Sequence, residues 1–158
     1  MTTSPNSSPA SIPSRNKQTA IDFLTAISKG ELARAKAMMT EDATWQSPPS
    51  LAGGPFRGRD SIFGTYIAID DQLFETGTRS YDFEILNAIA EGDSVAIEMR
   101  HVDRAMDGGA YDTEYHMLYY FRGEKICKVK EYFDSLFMHG EFERQGLGFP
   151  QGDPPLGG

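Results

Sequence analysis

A chain of 158 residues with a formal net charge of −8 is long enough to bury one core, and too acidic to offer the basic footprint that nucleic acid or an anionic membrane requires. Its single cysteine, Cys127, excludes an intrachain disulfide and a cysteine-based metal framework, and its three histidines lack the close spacing of a metal site. No cofactor is implied, and no segment approaches the ~18 apolar residues of a membrane span.

Residues 1–14 are rich in Ser, Thr and Pro and lack the apolar core of a secretory signal. They read as a disordered leader, and a cytoplasmic location is the expectation. One ordered domain is expected over residues 15–145, followed by a Gly/Pro-rich flexible tail over 146–158. Ile21, Leu24 and Ile27 form a helical stripe that ends at Gly30, and Leu32, Ala35, Met38 and Met39 give a second short helix. A short extended segment from Ala43 stops at Pro48-Pro49. Asp60 is expected to cap a third helix, Ser61 to about Asp71, with Ile62, Tyr66 and Ile69 on one side.

Strand-like alternation then takes over. Tyr81 to Ala90, Ser94 to Arg104, Tyr111 to Phe121 and Lys125 to Phe133 form successive strands, separated by glycine-containing reversals. Helices first and an antiparallel meander afterwards is an α+β plan, with the sheet curled around three helices to leave an apolar pocket.

Three ionisable groups interrupt apolar rows of this sheet. Val95, Ile97, Met99, His101 and Asp103 share one face, and Cys127, Val129, Glu131 and Phe133 share another. A turn centred near Gly108 places His101 opposite Tyr115, and one near Gly123 places Tyr115 opposite Glu131. The neighbouring rung then reads Met99, Met117 and Val129. An imidazole titrates near neutrality, a buried carboxylate is costly without a role, and a neutral phenol can donate to a developing oxyanion. His101, Glu131 and Tyr115 are therefore the candidate catalytic residues: His101 as base, Glu131 as its orienting carboxylate or the proton donor, Tyr115 as hydrogen-bond donor. Trp45, Ser47, Tyr66, Met99, Met117 and Phe133 are the candidate substrate-binding residues.

The strings Glu41-Asp42-Ala43-Thr44-Trp45-Gln46, Gly58-Arg59-Asp60, Val95-Ala96-Ile97-Glu98 and Lys125-Ile126 leading into Glu131-Tyr132-Phe133-Asp134 resemble the SnoaL-like and limonene-epoxide-hydrolase-like branch of the nuclear transport factor two-like superfamily. The resemblance implies a cone-shaped α+β barrel with a deep apolar pocket, often in a homodimer. It also implies a site. Where the epoxide hydrolases carry an Asp-Arg-Asp set, this chain has His101, Met99 and Glu131, and the loop Tyr and Asn that hold their water become Trp45 and Ser47. Ketosteroid isomerases of the superfamily place a base Asp before a Pro where this chain has Ser47 before Pro48. The expectation is a cofactor-independent acid-base enzyme on a small or polycyclic hydrophobic molecule, of isomerase, cyclase, dehydratase or epoxide-hydrolase type. The alternative is a non-catalytic module of the same fold, binding a hydrophobic ligand or mediating dimerisation.

Overall fold

The computed structural model describes residues 11–154. The leader expected over residues 1–14 lies outside the described residues as far as Ala10; from there Ser11 caps α1, Ile12–Ser28, by accepting from the Ser14 amide. The inner face of α1 buries Ala20, Phe23, Leu24 and Ile27. Gly30, at φ 72°, reverses the chain beneath the Arg79 carbonyl, where a Cβ would have no space. Then follow α2, Leu32–Ala37, and β1, Met39–Gln46. Met39, read as the end of a helix, opens the strand, because the α2 cap at Met38 hands its carbonyl to Ile126 of the sheet.

After the short α3, Pro49–Ala52, and β2, Phe56–Arg57, the chain enters α4 over residues 59–73. It is not one regular helix. An α turn at Arg59–Ser61 passes into a π turn at Ile62–Tyr66, a 3-10 turn at Ile67–Ile69 and a last α turn at Asp70–Leu73. The π turn is closed by the Ile67 amide on the Ile62 carbonyl, and such widened turns re-aim the side chains that follow. Asp60 does not cap this helix as expected. Gly58 occupies the cap position, and the Asp60 carboxylate instead meets Lys36 Nζ at 2.7 Å.

The strands β3, Asp82–Glu91, β4, Ser94–Arg104, β5, Ala110–Arg122, and β6, Lys125–Phe133, form the expected antiparallel meander. β1 adds to β6 in parallel, giving a six-stranded unclosed sheet in the order β2-β1-β6-β5-β4-β3. Bulges in β3 between Ile85 and Asn87, and in β6 opposite Tyr120 and Phe121, strengthen its bend around α1 and α4. α5, Ser135–Arg144, covers the far end. Asp134 caps α5 by accepting from the Leu136 and Phe137 amides.

The expected register is displaced by two residues at both hairpins. His101 faces Thr113, Met99 faces Tyr115 and Phe133 follows, and Ile97, Met117 and Glu131 share a rung. The β4–β5 reversal is centred one residue before Gly108, with Ala105 donating to the Gly109 carbonyl. Moving a hairpin centre by one residue moves the pairing by two and leaves every side chain on its own face. His101, Tyr115 and Glu131 therefore still face inward, but in three different rungs. Cys127 is the bulged residue of β6; Ile126 takes the inward, fully buried place expected for it.

Candidate functional site

Between the sheet, α1, α4 and α5 lies a cavity of about 90 Å³, room for on the order of six waters. Its wall is apolar and aromatic: Leu24, Ile27, Ile67, three methionines and seven aromatic rings, interrupted by Asp70, His101 and Glu131. Neither lysine nor arginine lines it among the described residues.

Glu131 is 7% exposed, and one of its oxygens, Oε2, collects three donors. Trp45 Nε1 lies at 3.1 Å, Ser47 Oγ at 2.8 Å, and the Tyr66 hydroxyl donates as well. Parallel pairing of β1 with β6 sets Trp45 beside Val129, which brings the end of β1 against Glu131; Tyr66 arrives from the π turn of α4. Burial pushes the Glu131 carboxyl above its ordinary pKa, while the three donors stabilise the anion and pull the other way. Burial foremost, then the charge of Glu131, holds the Tyr66 phenol far above its usual range, so it remains a donor. Oε1 receives no hydrogen bond among the described residues.

His101 is 5% exposed and stands in an aromatic nest, its ring 4.2 Å from that of Tyr81 and 5.0 Å from that of Phe74. Burial lowers its pKa to about 4, against a smaller opposite pull from Asp103. The imidazole is therefore neutral at pH 7. Its carboxylate neighbour is Asp103, two residues on along the same face of β4, with Oδ2 3.4 Å from Nε2 but off the line of a hydrogen bond. Thr76 Oγ1 donates to the same oxygen at 2.5 Å. Glu131 does not orient His101 as expected: four residues along β4 separate His101 from Ile97, the rung partner of Glu131, and both groups meet only as walls of one cavity. Tyr115 also lines the cavity, but its hydroxyl is paired with that of Tyr111, and burial raises the pKa of both phenols.

Of the residues expected to bind substrate, Trp45, Tyr66, Met99 and Met117 line the cavity. Ser47 is fully buried behind Glu131 and borders a second groove that holds Arg57, Lys128 and Lys130. Phe133 packs behind the wall, edge-on to Tyr115 with ring centres 5.5 Å apart.

Asp70 was not among the expected site residues, yet it lines the cavity. It stands one helical step, four residues, beyond Tyr66, a spacing that puts the two on one face of a helix. Burial foremost, and then the like charges of Glu131, Asp103 and Asp71, hold its carboxyl well above the ordinary range. No hydrogen bond reaches that carboxyl among the described residues. Phe149, from the segment read as a flexible tail, also lines the cavity, with its ring 4.9 Å from that of Phe142. That segment is tied to the domain by the Gly152 amide on the Ala52 carbonyl, the Asp153 amide on the Pro55 carbonyl, and Asp153 Oδ2 accepting from the Arg57 amide at 3.0 Å.

The SnoaL-like domain family matches residues 20–129, more than two thirds of the chain. The protein belongs to this SnoaL-like family. None of the curated proteins matches the sequence. Among solved structures, an NTF2-like protein of unknown function from Burkholderia pseudomallei is similar at 18% identity and a TM-score of 0.69, over 78% of this chain and 94% of that one. A Jannaschia protein assigned as a SnoaL-like polyketide cyclase is similar at 15% identity and a TM-score of 0.67, over 86% and 96%. A hypothetical protein from Catenulispora acidiphila with a ketosteroid isomerase-like fold, solved in complex with trimethylamine, is similar at 20% identity and a TM-score of 0.64, over 82% and 93%. At these identities the likeness establishes the NTF2-like fold of this SnoaL-like chain. The matched segment takes in the second half of α1 and the sheet from β3 to the middle of β6, and Glu131 lies two residues beyond it.

Proposed function

We propose that this SnoaL-like protein is a cofactor-independent acid-base enzyme acting on a small hydrophobic molecule held in the cavity, with Glu131 as the proton acceptor. The supporting observation is the Glu131 carboxylate itself: Oε2 is fixed by Trp45, Ser47 and Tyr66, while Oε1 has no partner among the described residues. A carboxylate held rigid in an apolar wall, with a raised pKa, is a stronger base than one in water, and it needs no reorganisation when a proton arrives. Neutral His101 is equipped to receive that proton or relay it, with Asp103 beside it to stabilise the imidazolium. Tyr115, neutral through its buried hydroxyl pair, is placed to donate to an oxygen that gains charge. Isomerisation, cyclisation, dehydration and epoxide opening need no more than this. The Jannaschia relative assigned as a polyketide cyclase is consistent with the same reaction class.

The test is proton exchange. Purified protein in deuterated water is given a panel of small hydrophobic ketones, enones and epoxides, and deuterium uptake and products are followed by mass spectrometry. Glu131→Gln keeps an acceptor for the three donors, so the fold is retained while the base is lost. A fall of about a hundredfold or more in the exchange rate is expected; an unchanged rate would overturn the proposal. The non-catalytic binding reading is favoured by one residue, Met99, 4% exposed, at the position where epoxide-hydrolase relatives are expected to carry their Arg. It predicts saturable binding from the panel with no exchange in either protein.

A further inference from the structure

The two carboxyls of the cavity are furnished differently. Glu131 has three donors on one oxygen, whereas Asp70 faces the same space with none among the described residues and feels the charges of Glu131, Asp103 and Asp71. Asp70 is half-buried at the cavity wall, and a polar group so placed is usually paired, so a carboxyl left without a donor there marks a place where something else supplies one. The protein's own cations do not, because no lysine or arginine lines the cavity among the described residues, and the one basic side chain there, His101, is neutral.

Around these two acids stand seven aromatic rings, among them Trp45, Tyr66, Phe74, Tyr81 and Phe149. The face of an aromatic ring carries negative potential and attracts a cation within about 6 Å of its centre. A second unmet demand lies in the same wall: Glu131, 7% exposed, leaves Oε1 without a partner among the described residues. A carboxyl without a donor, inside a box of aromatic faces and thioethers, suits neither an anion nor a purely apolar molecule, which would leave Asp70 unsatisfied.

From this we infer that the cavity is built for an organic cation, a small apolar molecule bearing an alkylated ammonium group, with Asp70 as the counter-ion and the aromatic rings as the cage around the alkyl groups. The inference builds on the proposed function by naming its substrate class, and leaves Glu131 as the base.

Choline and its neutral isostere 3,3-dimethylbutan-1-ol separate charge from shape. Trp45 is the only tryptophan and lies in the cavity wall, so its fluorescence reports occupancy without any turnover. Choline is expected to bind about tenfold or more tighter than the isostere to the wild-type protein, as a desolvated cation–π contact with an ion pair requires. Asp70→Asn, an isosteric neutral change, should bring the two probes to parity by weakening choline alone. Equal or tighter binding of the neutral isostere to the wild type, or no saturable response to either probe, overturns the inference. Because the readout is binding, it can fail while Glu131-dependent exchange is intact; the converse holds equally.

Discussion

The two carboxyls that line the cavity, Glu131 and Asp70, meet the problem of buried polarity in opposite ways. At Glu131, one carboxylate oxygen is surrounded by an indole, a hydroxyl and a phenol drawn from β1, the loop after it and α4. Around Asp70 and His101, among the described residues, Asp70 has no donor, His101 Nε2 is buried without a hydrogen bond, and Asp103 accepts from Thr76 and its neighbouring amide. Glu131 is fixed through Oε2 without a ligand. Asp70 waits for one, and that contrast separates a preorganised reacting group from a recognition surface.

The largest expected effect comes from breaking the donor set of Glu131. Glu131→Leu would strand three buried donors at once, and chemical denaturation should register a loss on the order of 3–5 kcal/mol. Glu131→Gln should cost much less, because its amide oxygen still accepts.

Next is the pH dependence around Asp70 and His101. His101 has a folded-state pKa of about 4, below the ordinary 6.5, so the unfolded chain binds the extra proton between these values. Its contribution is full above about pH 6.5 and is lost as pH falls towards 4, amounting to about 3 kcal/mol in all. Denaturation of wild type and His101→Asn across that window should show the slope only in the wild type. Asp70 and Glu131 act in the opposite direction: their raised pKa values favour the fold below the ordinary carboxylate range and lose that contribution as pH rises. Asp70→Asn should therefore raise the melting temperature at pH 8 and leave it nearly unchanged at pH 4. A control outside the cavity is the α5 cap, where Asp134→Ala should cost about 1 kcal/mol with no change in ligand response.

Much of this was legible beforehand. Period-two alternation identified all four long strands and put His101, Tyr115, Met117 and Glu131 on the inner face, because that periodicity depends only on the chain itself. The same reasoning misplaced their rungs, since register rests on the turn centre and on a bulge at Cys127 that no local pattern signals. Asp103 was already in the inner row of β4, yet its pairing with His101 was passed over for the more distant Glu131. Asp70 has a signal as well, its place four residues after Tyr66 on the inner side of the third helix. Phe149 had none, as a lone aromatic in a Gly/Pro-rich stretch says nothing of where it docks.

The amino-acid sequence by itself determined the α+β plan, the inward faces and the net acidity, because composition and alternation are properties of the chain. Only the tertiary structure decided which acids were satisfied. Donors reach Glu131 from positions 84 and 86 residues away along the chain, and no local rule reveals whether a group finds such a partner or, like Asp70, is left to meet one from outside.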